Sequence, residues 1–219
     1  MSEITSDLVK KLRDATSAGM MDCKKALVET KGDLAAAEIW LRKKGISSAA
    51  KKGNRDANDG VIASYIHAGD KVGVLIELNC ETDFVARTDS FKGLVKDLTL
   101  QIAAASPRFV RREEVPEAEV AKEKDIVAAQ IKDKPPQVVE KIVTGRLDKF
   151  FGTVCLLEQA FIKDDKITIK DHIASKIAEL GENIVLRRFV RFQLGESLTP
   201  LVAAESAEAA PAPAEAAVA

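Results

Sequence analysis

Apolar residues recur at helical spacing in three short segments between residues 5 and 45. The second segment runs from Met21 to Thr30, and Asp33 is placed to cap a third helix, which Gly45 is expected to end. This pattern predicts a small three-helix unit. The polar, glycine-bearing stretch that follows, residues 51 to 60, has the composition of a linker.

A different periodicity, alternation of apolar and polar positions, predicts strands further along the chain. Val61 to His67 and Val72 to Cys80 are strand-like and are joined by four residues typical of a turn. Val154 to Gln159 and the long stretch Ile184 to Leu194 also predict strands. Since the last one carries arginine on both faces, we expect it at an edge of an antiparallel sheet or at a wet interface.

Helical spacing returns between the strands. One helix is expected from about Thr88 until Pro107, which cannot continue it. Two further helical patterns at about 115 to 150 are separated by Pro135-Pro136, and this predicts a projecting helical hairpin. Taken together, the patterns predict an α+β protein with four regions: a three-helix module at 1–53, a linker at 54–60, an α+β core containing the hairpin at 61–200, and a disordered Ala/Pro/Glu tail at 201–219.

Composition narrows the range of functions. The 33 Lys and Arg nearly balance the 34 Asp and Glu, and the basic excess from Lys10 to Arg55 includes a single aromatic residue, Trp40, so nucleic-acid binding is not favoured. No apolar run approaches the roughly 20 residues that span a bilayer, and the first residues do not resemble a secretory signal. Three widely spaced cysteines suit reduced thiols, and we therefore expect a cytoplasmic protein.

Residues that could carry catalysis or bind a metal are isolated in the sequence. His67 and His172 stand alone, and Cys80 lies in an apolar pattern typical of an inert buried thiol. Asp164-Asp165 has the character of a solvated turn rather than of a catalytic pair. We therefore expect no catalytic residues, no metal and no cofactor, and an enzyme that uses Cys80 or His172 is a distant alternative.

The most informative segment is Thr82-Asp83-Phe84-Val85, at the junction between a predicted strand and a predicted helix. From the pattern alone, the favoured interpretation is that Thr82 or Asp83 caps a helix and that Phe84 packs inward. The alternative is that the aromatic ring is presented to a partner, which would give it a large share of the binding energy.

Met20-Met21 allows two interpretations in the same way. Methionine usually fills gaps in a core, but consecutive helix positions diverge by about 100°, so both side chains cannot point into one small core. One of the two methionines is equally well explained as a contact for a partner protein.

Three signatures follow one another along the chain: Val9 to Arg13 with Ala18 to Leu27, then Asn79 to Ala86, and finally Phe189 to Glu196. In this order they resemble the elongation factor Ts family, the guanine-nucleotide exchange factors of elongation factor Tu. The resemblance extends over roughly residues 1 to 198 and is specific, because long signatures occur in the right order.

The resemblance implies a fold and a set of contact residues. It implies an N-terminal module of the ubiquitin-associated type, an α+β core and an inserted helical hairpin. It also implies that elongation factor Tu in its GDP-bound form is the partner. By this resemblance the Thr82–Val85 corner contacts that partner, with Asp83 and Phe84 entering its nucleotide-binding domain near the magnesium and nucleotide site. Arg13, Met20 and Met21 would dock on a helix of the same domain.

The sequence also raises a possible homodimer and an alternative function. Longer members of the family resemble a chain with two copies of the strand–helix core unit, whereas here Ala105 to Pro107 leads directly to the predicted hairpin. A short member can complete its core by pairing, and the strand Ile184 to Leu194 is the candidate homodimer contact. The alternative function is a ubiquitin-associated-like adaptor that binds a protein without exchanging nucleotide.

Overall fold

The computed structural model describes residues 4–16, 18–131 and 136–196. The predicted disordered tail at 201–219 and the residues of the predicted turn before Pro136 lie outside this range. Within it, helices and an antiparallel sheet combine in one chain, which confirms the α+β class. No helix among these residues is both long and apolar enough to cross a membrane.

The N-terminal segment forms three helices, α1 (Ser6–Thr16), α2 (Met20–Glu29) and α3 (Leu34–Lys52). As predicted, Asp33 caps α3, and its side chain accepts a hydrogen bond from the backbone N–H of Ala36 at 3.0 Å. The helices enclose a small core of their own, made of Val9, Leu12, Cys23, Ala26, Leu27, Ala37 and Leu41.

The prediction that Gly45 ends the third helix is wrong. Helix α3 continues for seven further residues to Lys52, and Gly45 lies buried in its interior. The glycine faces α8 (Ile169–Leu180), where a Cβ atom placed at position 45 would lie 3.6 Å from the Cβ of Ala178. Two small residues therefore allow α3 and α8 to approach closely, and this contact attaches the N-terminal helices to the rest of the chain.

Polar bonds reinforce the same contact. The Arg42 guanidinium lies 2.6 Å from the Asp171 carboxylate, and the Lys52 ammonium donates to the carbonyl oxygen of Ile177 at 3.2 Å. The Arg42 side chain also lowers the pKa of Asp171, against the opposing effect of burial.

The main sheet has three antiparallel strands in the order β1-β2-β5: β1 (Asp59–Ile66), β2 (Val72–Cys80) and β5 (Ile184–Gln193). The expected edge position of the last strand is confirmed. The core packs on one face of β2, beneath α5 (Asp89–Ala105) and α8. Its fully buried side chains include Ile76, Leu78, Phe91, Leu94, Leu98, Ile102 and Ile169.

The strand predicted at Val154 to Gln159 is wrong. Helix α7 (Pro136–Val154) extends to the start of that segment, and a single 3-10 turn follows at Leu156–Glu158. A short run of buried apolar residues looks the same in either structure, since periodicity does not separate a buried strand from a buried turn. A small hairpin follows instead, formed by β3 (Ala160–Phe161) and β4 (Asp164–Thr168).

The remaining helices are α4 (Asp83–Ala86), directly after β2, and α6 (Glu117–Gln130), which contacts α7. The segment expected to form a helical hairpin is thus helical on both sides of residues 132–135. Val115, Val154 and Cys155 form a separate buried cluster at the base of α6 and α7.

We predict opposite effects of two substitutions at Gly45. Gly45→Ala should leave the free energy of unfolding unchanged or raise it by up to about 1 kcal/mol, because the new methyl group meets Ala178 at ordinary contact distance and alanine favours helix. Gly45→Leu should lower it by about 1–3 kcal/mol, since the larger side chain separates α3 from α8. Urea unfolding of both variants measures the difference, and equal destabilisation by alanine and leucine would contradict the close-approach explanation.

Candidate protein-interaction site

The Thr-Asp-Phe-Val segment forms a sharp corner at the end of the central strand. β2 ends at Cys80, and α4, only four residues long, begins at Asp83. Thr82 between them is extended, with φ −135° and ψ 154°, and its Oγ1 accepts a hydrogen bond from the backbone N–H of Val85 at 3.4 Å. Of the two predicted caps, Thr82 is therefore the one that the structure contains.

Two buried residues fix the orientation of this short helix. Val85 and Ala86 are 5% and 7% exposed and belong to the main core. Because successive helix residues point about 100° apart, burial of these two directs the preceding residue away from the core. Phe84 is accordingly 77% exposed. The pattern-based prediction that this ring packs inward is wrong, and the alternative that it faces outward is confirmed.

Val85 is among the residues expected to contact a partner, and its side chain is buried in the core of this chain. A four-residue helix cannot hold its own shape in water, so it needs an apolar anchor. The buried side chain of Val85 provides that anchor.

Asp83 is exposed and pairs with Arg87 at 2.8 Å. The two side chains are 62% and 80% exposed, and an ion pair in such a setting contributes little to stability. Asp83 therefore has no strong structural task in this chain, and its carboxylate is accessible to another molecule.

The other predicted contact residues lie on the three-helix unit. Arg13 on α1 is exposed, and Met20 and Met21 at the start of α2 are 47% and 75% exposed. The interpretation of either methionine as core filling is wrong, because Cys23, Ala26 and Leu27 occupy that core. The two methionines and Arg13 thus present polarisable and cationic groups at the surface, on elements other than the corner.

One residue that holds the corner was missed by the sequence analysis. Glu182 follows α8, and its Oε2 accepts hydrogen bonds from the backbone N–H groups of Glu81 at 3.1 Å and Thr82 at 3.0 Å. Its Oε1 accepts from the hydroxyl of Thr82 at 2.6 Å. Glu182 is one hundred positions from Thr82, and the pairing of β5 with β2 brings them together. No local sequence motif predicts this contact.

The two residues considered for catalysis, Cys80 and His172, make contacts within the folded chain. Burial raises the pKa of the Cys80 thiol, which therefore stays protonated, and its sulfur contacts the carbonyl oxygen of Thr82 at 3.1 Å. His172 is 12% exposed, lies 3.0 Å from the Asp97 carboxylate and stacks on Phe161, and burial lowers its pKa. Among the described residues, no group of three or more His, Cys, Asp or Glu side chains is arranged to hold a metal ion.

Comparison with known proteins identifies similar chains. The family model described as "Elongation factor TS" matches residues 46–196. The protein named elongation factor Ts from Anaeromyxobacter sp. (strain K) is 60% identical over 200 residues, which cover 90% of this chain and 91% of that protein. The protein of the same name from Thermodesulfovibrio yellowstonii is 55% identical over 195 residues, covering 89% of this chain and 98% of the relative.

We predict that the two neighbouring residues of the corner differ in their effect on stability. Thr82→Val should lower the free energy of unfolding by about 1 kcal/mol or more, because it removes the helix cap and the bond to Glu182. Asp83→Asn should change it by less than about 0.5 kcal/mol, since only an exposed ion pair is lost. Chemical denaturation tests both, and an Asp83→Asn variant as unstable as Thr82→Val would show that Asp83 is the cap.

Proposed function

Because this chain belongs to the elongation factor Ts family, it is a guanine-nucleotide exchange factor for elongation factor Tu in translation elongation, and we propose that Phe84 is the group that opens the partner's nucleotide site. Exchange makes and breaks no bond in the nucleotide. In this proposal the protein accelerates the release of nucleotide and does not catalyse a chemical reaction.

The observation that carries this proposal is an exposed aromatic ring on an anchored turn. Aromatic side chains bury a large area for the loss of only two torsional freedoms. Phe84 is 77% exposed, whereas Val85 and Ala86 beneath it are held in the core. A ring presented in this way is preorganised, so little ordering cost opposes its burial in a partner.

The physical basis of exchange is the sensitivity of a magnesium site to geometry. A GTPase holds its nucleotide with backbone amides around the phosphates and a magnesium ion that demands near-octahedral coordination. If Phe84 fills an apolar pocket that forms only when the helices flanking that site shift, binding stabilises the opened state. The coupling is reciprocal, so the factor and the nucleotide weaken each other's binding by the same ratio.

We assign the first contact with the partner to the N-terminal helices. In this proposal they form a module of the ubiquitin-associated type, and Arg13, Met20 and Met21 dock on a helix of the partner's nucleotide-binding domain. The contact between α3 and α8, at which Gly45 faces Ala178, then fixes that docking surface relative to the core. We also assign α6 and α7 as the inserted helical hairpin and the cytoplasm as the compartment in which this occurs.

The alternative is an adaptor that binds through the three-helix module without exchanging nucleotide. It predicts a complex whose stability is independent of GDP. Titration of GDP into a complex with elongation factor Tu separates the two, because exchange requires that nucleotide expel the factor.

We predict that Phe84→Ala lowers the stimulated rate of GDP release from elongation factor Tu. The loss should be on the order of 2 kcal/mol or more of coupling, about 30-fold in rate, if the ring is a buried anchor in the complex. Release of labelled GDP at saturating factor is the measurement.

Ile162→Ala is the matched control for this experiment, since Ile162 is also an exposed apolar residue but lies at the β3–β4 turn. This variant should release GDP at the rate of the unchanged chain. A Phe84→Ala variant that is folded by circular dichroism and fully active would remove Phe84 from the proposed role.

We further propose that two chains pair through the exposed face of the sheet at β5. The face turned away from the core aligns Leu75 with Val190, and Ile66 reaches Phe192 through Gly73. These four apolar side chains are exposed, and so is Leu194 just beyond the strand. A continuous apolar face beside an edge strand is the kind of surface that a second copy covers.

We predict that Val190→Glu yields a monomer. Unchanged protein should show twice the mass of one chain by light scattering at micromolar concentration, whereas the variant should show the mass of one, because a carboxylate would be buried at the centre of the contact. Ile39→Glu on α3, another exposed apolar position, is the control and should leave the mass unaltered. A monomeric unchanged chain at that concentration would rule out the pairing.

A further inference from the structure

The corner that carries Phe84 is held from outside by a single carboxylate. Oε2 of Glu182 accepts from two successive backbone N–H groups, those of Glu81 and Thr82, and Oε1 accepts from the Thr82 hydroxyl. A carboxylate is an acceptor only, and bonds to a charged acceptor are stronger than those between neutral groups. Three donors of the corner therefore converge on one side chain from another part of the chain.

The hydrogen bond from the Thr82 hydroxyl to Glu182 also sets the orientation of the helix cap. A threonine hydroxyl has one proton to donate and lone pairs with which to accept. Since the Thr82 hydroxyl donates to Glu182 at 2.6 Å, its lone pairs are left for the N–H of Val85, which lies 3.4 Å away. Glu182 thus orients the cap that starts the short helix carrying Phe84.

Glu182 is itself fixed by the turn in which it lies. Gly181 ends α8 in the left-handed conformation, with φ 83°, and β5 begins two residues after Glu182. Asn183 between them is buried, donates its backbone N–H to Glu81 Oε1 at 2.6 Å and donates through its side-chain amide to the carbonyl oxygen of Arg55 at 2.7 Å. Hydrogen bonds therefore run in both directions between the corner and the α8–β5 turn. The Glu81 carboxylate accepts from the backbone N–H of Asn183, and the Glu182 carboxylate accepts from that of Thr82.

We propose that Glu182 is a positioning residue for nucleotide exchange: it acts through Thr82 to hold the corner in the conformation that presents Phe84. The inference rests on the proposed role of Phe84. Without the carboxylate, the corner loses three bonds and the orientation of its cap, while Val85 and Ala86 still attach it to the core. The ring then samples several directions, and fewer encounters with the partner place it correctly.

The test is GDP release from elongation factor Tu as a function of factor concentration, for the full chain and for Glu182→Ala. A positioning role lowers the maximal rate at saturating factor, on the order of tenfold, because docking through Arg13, Met20 and Met21 is retained while insertion is not. A purely structural role lowers the folded fraction instead, which raises the half-saturating concentration and leaves the maximal rate unchanged.

Glu182→Gln is the conservative variant. Its amide oxygen can still accept from the two backbone N–H groups, but its NH₂ group now faces the Thr82 hydroxyl, so the maximal rate should fall between those of the unchanged chain and the alanine variant. The matched control is Glu179→Ala, which removes a carboxylate of α8 that bonds Ser90 at 2.7 Å and Lys176 at 2.7 Å but does not contact the corner. This control should keep the full maximal rate.

A double-mutant cycle with Phe84→Ala decides whether Glu182 acts through the ring. If it does, Glu182→Ala causes no further loss in the Phe84→Ala background. Two outcomes would overturn the positioning role and leave the proposed function intact. In the first, the losses caused by the two substitutions are independent and multiply. In the second, Phe84→Ala lowers the maximal rate but Glu182→Ala leaves it unchanged. A Phe84→Ala variant with full activity would instead overturn the proposed function.

A second readout needs no partner protein. In the unchanged chain the amide hydrogens of Glu81 and Thr82 are bonded to the carboxylate and should exchange slowly with solvent. Glu182→Ala should accelerate exchange at these two positions by at least tenfold, while the amides of β2 keep their protection. Unchanged exchange at both amides would contradict the positioning role.

Discussion

The burial of Val85 and Ala86 is the constraint on which the corner depends. A helix of four residues has too few internal hydrogen bonds to be stable by itself, so its position is set by what its side chains touch. With two of the four committed to the core, the remaining two, Asp83 and Phe84, have no place but the surface. The exposure of the ring is therefore a consequence of packing and needs no special strain.

The core supplies the rigidity that the corner lacks. β2 is the central strand of the sheet, bonded on both sides, and Cys80 at its end is fully buried. The corner follows directly from this central strand, and the turn between α8 and β5 lies beside it. The corner lies between β2 and α5, which both contribute to the core, and Glu182 bonds it at its start, so its position is fixed relative to the core.

The sequence predicted the elements whose periodicity is long and consistent. Alternation predicts β1, β2 and β5, and residue type predicts the caps at Asp33 and Thr82. The prediction for Gly45 is wrong because the deciding contact lies far away in sequence, and that for the segment after Val154 is wrong because a short buried apolar run does not distinguish a strand from a turn. Gly45 is tolerated inside a helix because Ala178 faces it, and a local pattern contains no information about that partner.

The direction of Phe84 shows where pattern-based reasoning fails at the candidate interaction site. Most aromatic residues at element junctions pack inward, and on that basis the ring was expected in the core. The family resemblance reversed the expectation, and the structure shows the ring exposed. Val85 explains the difference in physical terms: the smaller β-branched side chain fills the space beneath the corner, and the larger ring is left outside.

An exposed aromatic ring can contribute binding free energy when a partner buries it. Its apolar surface remains in water in the free chain, and the favourable free energy of burying it is realised only in a complex. If the ring were free to fold back, part of that free energy would be spent on ordering it during binding. In the proposed mechanism, the bonds from Glu182 and the buried Val85 hold the ring outward before binding, so that the free energy of its burial shifts the equilibrium of the partner toward its open state. The local structure of the corner and the proposed coupling to nucleotide release thus depend on the same residues: Thr82, Phe84, Val85, Ala86 and Glu182.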